Sequence, residues 1–521
     1  MGDFNLLDEI YFTGRDKYKS IQSLLSKGLI MKIAAEIYTS NFEADPSDII
    51  RRNLFQIIAE KFPGSLISHR SAFELAPFQD NIFVTSKYTD KYQLPGVTVN
   101  LLKGFGPITG DGYMFGAAFS QRERALLENM QISKGKPSKS LSREQIEEKL
   151  EMYLRTHGEE YLNQIRDKSR LIAHQLSMTN EFSKLDGVIG AMMGTKSIKK
   201  LKSDVGKARF NRIPFDINRI HLFEKLFFDL QSKMFKRVPD ANDNLKSYKL
   251  FGFFESYFSN YIEGTKFQVE DAKQIVDSGL PMPSRVNDSH DVLGTYKIVS
   301  DKKALSVIPN NADDFIDLLK YRHKILLNAR PEFSPGMFKE RVNVAGNTVF
   351  VEPELVIGTL KKGFEYYNAL QEPFARAAYM MFLIAETHPF NDGNGRIARI
   401  FMNSELTRDN QSKILIITSF RDDYILALKK LTNQHVSEVY IKMLEKAHNL
   451  SSRINGENFN QVYDFLKGIN AFEEANSNTI LIPEIKRDDN LKNLDIENKL
   501  EAELKNTSQL SVIKTKKKKG L

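Results

Sequence analysis

The spacing of apolar residues predicts a mainly helical chain. From about residue 190 to 450 apolar positions recur at helical intervals, and the clearest case is the stretch 372 to 387, which has almost no helix breakers. The apolar face of this stretch consists of Phe374, Ala377, Ala378, Met381 and Ile384. Pro389 should end the helix at His388, because its ring biases the preceding residue away from helical geometry. A second helix should begin near Gly395.

A different pattern precedes this region. Residues 17 to 40 alternate as a short helix, a turn at Lys27-Gly28, a second helical stretch and a strand at Ile37-Tyr38, which predicts a helix-turn-helix-like unit. A further helix is expected at about 46 to 62, and short strands with turns at 81 to 101. The first 115 residues are therefore expected to form an α+β domain.

This arrangement resembles the winged-helix antitoxin regulators of abortive-infection toxin-antitoxin systems, whose N-terminal part binds operator DNA. The resemblance implies a winged-helix-like regulatory domain over residues 1–115, with DNA contact through residues 1–110. A protein-interaction domain without DNA contact is an equally open interpretation.

The remaining boundaries follow from composition. Residues 116–190 are expected to hold a linker, at the polar segment 133 to 140, and connecting helices, the first of which opens with a capping-box pattern from Ser142 to Gln145. Residues 451–521 form a C-terminal extension, whose end carries five lysines between 514 and 519 and is predicted to be disordered.

Composition narrows the classes of function. No apolar run approaches the roughly 18 residues that a membrane span needs, and the N-terminus lacks a signal-peptide pattern, so a cytoplasmic protein without membrane contact is expected. The absence of cysteine excludes disulfides, a cysteine-bound zinc site and a thiol nucleophile. The net charge of +8 permits contact with nucleic acid or nucleotide without requiring it.

The loop between the two strongest helices carries the candidate chemistry. Residues 388 to 396 read HPFNDGNGR, and glycines at this position let successive backbone N–H groups point into one concavity at a helix N-terminus, which suits phosphate. Arg396 and Arg399 lie one turn apart and extend the positive field. Asp392 beside a bound phosphate needs a divalent cation, for which Mg²⁺ is the natural choice. His388 carries an imidazole, a group whose unperturbed pKa lies near neutrality, as a general base requires.

The string His-Pro-Phe-x-Asp-Gly-Asn-Gly-Arg-x-x-Arg resembles the Fic family signature at every fixed position. The resemblance implies the helical Fic fold, with a catalytic core at 291–450 and a helical region at 191–290. It implies transfer of AMP from ATP to a hydroxyl of a target protein, in which His388 deprotonates the hydroxyl, Asp392 binds Mg²⁺ and Phe390 anchors the loop. The phosphate-binding residues that it implies are Gly393, Asn394, Gly395, Arg396 and Arg399.

Two further segments fit the family pattern. Residues 342 to 351 alternate as a hairpin that turns near Ala345-Gly346, and the family's hairpin flap clamps the target and borders the nucleotide. Val344, Ala345 and Gly346 are therefore candidate ATP contacts. Downstream, Tyr424 lies in a segment that resembles the family's adenine-binding region, although a core tyrosine would show the same spacing.

An inhibitory motif precedes the core. Ser259, followed by three residues and then Glu263-Gly264, matches the pattern of self-inhibited Fic proteins on a helix N-terminal to the core. By this resemblance Glu263 would reach Arg399 and hold the enzyme off, whereas a plain helix end is the alternative.

Several functions stay open at this stage. Transfer of UMP or another phosphate-linked group, hydrolytic removal of AMP, and a DNA-binding transcriptional regulator with a nucleotide-sensing Fic domain are the alternatives to protein adenylylation. A protein substrate with an accessible hydroxyl is the expected partner, and a homodimer is compatible with the sequence.

Overall fold

The computed structural model describes residues 8–13 and 18–474, and within them the chain is mainly helical. The fold class predicted from the sequence, a helical core with a hairpin flap and an N-terminal α+β region, is confirmed. None of the described helices has the length and apolar composition that crossing a membrane requires. The lysine-rich end at 514 to 519 lies outside the described residues.

The N-terminal part contains two sheets. The first holds three antiparallel strands in the order β1, β3, β2, with β1 at Ile10–Phe12, β2 at Met31–Ala34 and β3 at Ile37–Thr39. Helix α1 covers Tyr18–Ser26. The second helical stretch expected at residues 29 to 33 is wrong, because strand β2 occupies its place, whereas the strand expected at Ile37-Tyr38 is present as β3.

Local and long-range forces explain this difference. Gly28 takes a left-handed conformation, with φ of 65°, two residues beyond the end of α1. The following β-branched side chains then complete a sheet with β1, where Ile37 is fully buried and the Thr39 hydroxyl donates to the Glu9 carbonyl at 2.7 Å. Pairing of β2 with β3, which is itself paired with β1, outweighs the weak helical spacing of residues 29 to 33.

The second sheet has six strands in the order β6, β7, β5, β4, β9, β8. The predicted strands at 81 to 101 are confirmed. The strands are β4 Leu66–Ile67, β5 Asn81–Ser86, β6 Asp90–Leu94, β7 Val97–Lys103, β8 Gly112–Met114 and β9 Ala117–Phe119. The helices of this part are α2 Pro46–Arg52, α3 Leu54–Lys61, α4 His69–Glu74 and α5 Arg122–Asn129.

Three helices of decreasing length follow. Helix α6, Arg143–Gln175, begins with the predicted capping box at Ser142 and bends at Gly158, whose φ is 82°. It is followed by α7, Thr179–Met192, and α8, Asp204–Phe210. The polar segment 133 to 140 has neither helix nor strand, but the Lys139 carbonyl accepts from the Arg70 N–H at 3.0 Å, so the segment packs against the N-terminal part.

The described residues divide into two compact units. The first comprises residues up to Phe235 together with Val307–Glu405, and the second comprises Lys236–Ser306 and the residues from Leu406 onward. The domain boundaries expected from the sequence stay a prediction.

The rest of the first unit is a helical core around α16. This helix, Pro373–Thr387, is almost entirely buried from Ala377 to Ile384. Its neighbours are α9 Ile217–Gln231, α14 Ala312–Leu326, α15 Val356–Ala369 and α17 Asn394–Arg408. A short hairpin lies between α14 and α15, with strands β10 Val344–Ala345 and β11 Thr348–Val349.

The second unit is built on α10, Leu245–Ile262, which is buried along most of its length. A buried ion pair joins its Glu255 to Lys413 at 2.6 Å. The other helices are α11 Val269–Ser278, α12 Val286–Val299, α13 Lys302–Leu305, α18 Arg421–Gln434, α19 Ser437–Ser451 and α20 Phe459–Gly468.

Arg124 on α5 is the central charge of the N-terminal part. Its side chain is 2% exposed and donates to Asp111 and Glu128, each at 2.8 Å, and to the carbonyls of Phe105 and Gly106. Removing one member of a buried ion cluster leaves an unpaired buried charge, which typically costs about 3–5 kcal/mol.

We therefore expect Arg124→Met to lower the free energy of unfolding of the N-terminal part by about 3–5 kcal/mol. Urea unfolding followed by circular dichroism measures this loss. Arg51→Met is the matched control, because the Arg51–Asp80 pair is exposed and should contribute about 0–1 kcal/mol. Similar losses in both variants would contradict the central role of Arg124.

Candidate active site

The turn between α16 and α17 has the geometry that the sequence predicts. His388 ends α16 in the left-handed region, with φ 52° and ψ 59°, and its N–H donates to the Ile384 carbonyl at 2.9 Å. Gly393 follows with φ 77°, and a Cβ there would lie 3.2 Å from Leu327. Both the backbone angle and the close packing therefore require glycine before α17 begins at Asn394.

The side chain of Asn394 closes the turn. Its Oδ1 accepts from the Phe390 N–H and its Nδ2 donates to the Phe390 carbonyl, both at 2.8 Å. Asn394 is 2% exposed. The side-chain amide of Asn394 therefore ties its own residue to Phe390 and closes the loop. The groups that this helix terminus offers to an anion are the backbone N–H groups at the start of α17.

Phe390 fixes the loop in the core. It is fully buried and stacks on the imidazole of His323 from α14, with ring centroids 3.6 Å apart and planes within 1° of parallel. His323 Nδ1 accepts from the Gly336 N–H at 2.9 Å, so the proton lies on Nε2, which donates to the Asp392 carbonyl at 3.0 Å. Burial lowers the pKa of His323 to about 4, so this imidazole is neutral at physiological pH.

The imidazole of His388 is held from two sides. Its ring stacks on Phe350 with centroids 3.8 Å apart, and its Nδ1 lies 3.2 Å from the Ala385 carbonyl. A proton on Nδ1 completes that hydrogen bond, which leaves Nε2 as the basic nitrogen. The tautomer follows from the hydrogen-bond geometry.

The charged side chains of the loop are close together. Arg396 donates to the Asp392 carboxylate at 2.8 Å, and both Arg396 and Arg399 are buried on α17, at 2% and 5% exposure. The Asp392 side chain remains 39% exposed. The N-terminus of α17 thus combines the first-turn amide groups of a helix, two guanidinium groups and one accessible carboxylate.

The hairpin of β10 and β11 lies beside this loop, and we call it the flap. Residues Val344 and Ala345 pair with Val349 and Thr348, and Gly346 turns with φ 60°. Val344 is 61% exposed, so the flap presents an open strand edge.

Three polar side chains attach the flap to the core. Arg219 on α9 donates to the Val349 carbonyl at 2.7 Å and pairs with Glu386 at 3.0 Å. Asn343 donates to the Phe390 carbonyl at 3.1 Å. These contacts place the flap and the loop in one structural unit.

Lys339 lies between the flap and the loop. Its N–H donates to the Pro389 carbonyl at 2.9 Å, and its ammonium group is buried with no hydrogen-bond partner among the described residues. Burial, together with the nearby Arg219, lowers the pKa of Lys339 to about 8. The backbone of Lys339 thus supports the turn that His388 begins.

The structure brings most of the predicted site residues into the first unit: His388, Asp392, Gly393, Asn394, Gly395, Arg396, Arg399, Val344, Ala345 and Gly346. The other four, Ser259, Glu263, Gly264 and Tyr424, belong to the second unit.

Within the second unit, Ser259 is buried near the end of α10, where Glu263 is the exposed capping residue and Gly264 has φ 98°. Asn260 holds this end by donating to Thr295 on α12 at 3.0 Å. Tyr424 lies on α18 and is 3% exposed.

Sequence reasoning missed the residues that position the loop. His323, Lys339 and Asn343 lie more than 40 residues before the turn, and Phe350 was read only as part of a strand. No local sequence pattern marks these residues, because each of their contacts arises only from tertiary packing.

A family model and several known proteins match parts of this chain. Residues 314–406 match the family described as Fic/DOC family. A Fido domain-containing protein of Dictyostelium discoideum is 33% identical over 101 residues, which are 18% of this chain and 71% of that protein. Protein adenylyltransferase fic-1 of Caenorhabditis elegans is 26% identical over 183 residues, 34% of this chain and 36% of that protein.

A solved structure of a Fic-1 fragment from C. elegans is 19% identical, covering 58% of this chain and 88% of the fragment with a TM-score of 0.35. The chain spans only 36% and 44% of the length of the two nematode fic-1 adenylyltransferases that it matches.

The neutral state of His323 predicts a pH dependence. An unfolded histidine takes up a proton near pH 6.5, whereas His323 in the folded chain does so only near 4. The unfolded state then binds more protons between these values, so stability is full above about 6.5 and is lost as the pH falls towards 4. When the pH falls through this window, the free energy of unfolding of His323→Gln should decrease by about 2–3 kcal/mol less than that of the wild type.

Urea unfolding at a series of pH values from 7.5 to 4.5 measures this difference. The control is His157→Gln, because His157 is exposed. Parallel pH curves for wild type and His323→Gln would contradict a buried neutral imidazole.

Proposed function

The chain belongs to the Fic/DOC family, and on that premise we propose that it is a protein adenylyltransferase, which transfers AMP from ATP to a tyrosine, serine or threonine hydroxyl of a target protein. The observation that carries the proposal is the assembled loop. One buried anchor, Phe390, holds His388, Asp392 and the N-terminus of α17 in fixed relation.

His388 is the proposed general base. The Ala385 carbonyl orients Nδ1, and Nε2 accepts the proton of the target hydroxyl. The hydroxyl oxygen then forms a bond to the α-phosphorus of ATP, the bond from that phosphorus to the bridging oxygen breaks, and pyrophosphate leaves with the electron pair. In-line displacement needs close alignment of these atoms, which the two-sided support of His388 favours.

The proposed phosphate site is the start of α17. Gly393, Asn394 and Gly395 would offer backbone N–H groups to the α- and β-phosphates, while Arg396 and Arg399 would balance the outer phosphates. The side chain of Asn394 shapes the loop, since both of its polar atoms bind Phe390.

Asp392 fits a Mg²⁺ ligand. Its carboxylate is partly exposed and lies beside the proposed phosphate site, where Arg396 now neutralises it. Among the described residues no group of three or more acidic or histidine side chains could hold a metal. A single carboxylate is what Mg²⁺ uses when substrate phosphates and water complete its shell, and the ion would supply charge neutralisation of the phosphates.

The flap is the proposed site of target binding. Its exposed strand edge suits an extended peptide, because main-chain hydrogen bonds need little sequence specificity. Val344, Ala345 and Gly346 would border the nucleotide on the same side. In this arrangement a target is recognised by an accessible hydroxyl and an extended backbone.

Other activities and properties of the protein stay as predictions from the sequence. Transfer of a different nucleoside monophosphate, removal of AMP, DNA contact through residues 1–110, a homodimer and a cytoplasmic location each follow from the sequence alone. ATP and UTP labelled on the α-phosphate distinguish the first of these from adenylylation.

We expect His388→Asn to reduce transfer at least about 100-fold, because it removes the base. Asparagine tolerates the left-handed backbone of this position, so ATP binding should remain within a few fold of wild type. Label transfer from ATP marked on the α-phosphate, with calorimetry for binding, measures both effects.

His435→Asn is the matched control, since His435 also ends a helix in the left-handed conformation, with φ 57°. Its transfer rate should equal that of the wild type. Full activity of His388→Asn would remove this histidine from the chemistry.

The inhibitory motif predicts that Glu263 limits activity through Arg399. We expect Glu263→Gly to raise labelling of the protein itself and of targets at least about tenfold, as alignment of the α-phosphate improves. Glu263→Gln should also activate, because the charge of the carboxylate is what competes for a guanidinium.

Adding Arg399→Ala to either variant should remove the gain. If Glu263→Gly and wild type label equally, residues Ser259 to Gly264 are only a helix end. If the Gly variant activates and the Gln variant does not, added backbone freedom explains the effect better than the lost charge does.

A further inference from the structure

A cavity of about 620 Å³ lies in the first unit, away from the loop and the flap. It is open to solvent and bordered by α6 at its bend, the ends of α7 and α8, and the turn at 353 to 355 that follows the flap. Met192, Met193 and Phe210 give it an apolar side. Its volume is within the range of about 300–1,000 Å³ that small-molecule sites occupy.

Three arginines form the other side of the cavity. Arg209 donates to the buried Glu151 at 2.6 Å, but the Nε groups of Arg155 and Arg209 are buried without a hydrogen-bond partner among the described residues. Arg212 is exposed, and in the described part of the chain it has no ion-pair partner. Because the Arg212 guanidinium is accessible and lines the cavity beside two further arginines, this side of the cavity favours an added anion.

The carboxylates opposite the arginines are held loosely. Glu352 approaches Arg155 at 3.5 Å and Glu354 approaches Arg209 at 3.8 Å, and both side chains are about half exposed. A charge-assisted hydrogen bond spans about 2.7–2.9 Å, so these are weak pairs. An anionic ligand can therefore replace them at little cost.

These glutamates connect the cavity to the flap. Glu352 is two residues beyond Phe350, whose ring stacks on His388, and the intervening Val351 is fully buried. The Phe350 N–H also donates to the Asn343 carbonyl at 3.1 Å. Movement of Glu352 would therefore act on Phe350, two residues away at the base of the flap.

We propose that this cavity binds a small organic anion, one with a phosphate, sulfonate or carboxylate head and an apolar body, and that its occupation loosens the base of the flap. The head group binds the arginine side and releases Glu352 from Arg155. The apolar body packs on Met193 and Phe210. The site is separate from the proposed adenylyl-transfer site, so its test needs no catalytic activity.

Titration of the full chain with 8-anilinonaphthalene-1-sulfonate, whose fluorescence rises in apolar surroundings, tests the binding. We expect saturable binding of one probe per chain. Arg212→Ala should weaken it at least tenfold, and this variant should fold normally because the side chain is exposed. Met193→Glu should weaken it as well, through the apolar side. Arg170→Ala is the matched control on α6, where an exposed arginine lies outside the cavity, and its affinity should stay within twofold of wild type.

Arg396→Ala separates this site from the proposed phosphate loop, and it should bind the probe as the wild type does. Equal affinity of wild type and Arg212→Ala, or loss of binding in Arg396→Ala, would overturn the assignment of the site. Hydrogen exchange at the Phe350 amide should quicken at least twofold when the probe is bound. Unchanged exchange under saturating probe would overturn the link to the flap.

Discussion

The stacking of Phe390 on His323 is the contact on which the candidate site depends. Phe390 is fully buried, and the imidazole beneath it is neutral because burial lowers its pKa to about 4. A neutral ring with one protonated nitrogen can accept from Gly336 and donate to the Asp392 carbonyl at the same time. A charged ring could not accept, so one hydrogen bond to the preceding segment would be lost. The loop, the helix α14 and the segment leading to the flap are thus joined at a single side chain.

The anchoring of Phe390 also explains the strained backbone at His388. A non-glycine residue at φ 52° is disfavoured, yet the conformation persists because Phe390 is anchored on one side and α16 on the other. The same geometry turns the imidazole towards Phe350 rather than along the helix. The proposed base is therefore positioned by residues that take no part in proton transfer.

The sequence predicted the helices α16 and α17, the glycine-dependent turn and the flap, because helix periodicity, a proline and a hairpin turn are local signals. It did not predict strand β2 in place of the helical stretch expected at residues 29 to 33, since β2 gains its stability from pairing with β3. Nor did it reveal His323, Lys339 or Phe350, whose importance arises only when distant segments meet. The residues proposed for chemistry were visible in the motif, whereas the residues that hold them were not.

The flap is attached to the core at both ends, so an exposed hairpin and a buried loop can coexist in this fold. At the first strand Asn343 binds the Phe390 carbonyl, and at the second strand Arg219 binds the Val349 carbonyl while also pairing with Glu386. The tip between them makes only two residue pairs of its own and is exposed. A peptide added to that edge gains backbone hydrogen bonds without disturbing the anchored ends. His388, by contrast, keeps the position that α16 and Phe350 give it.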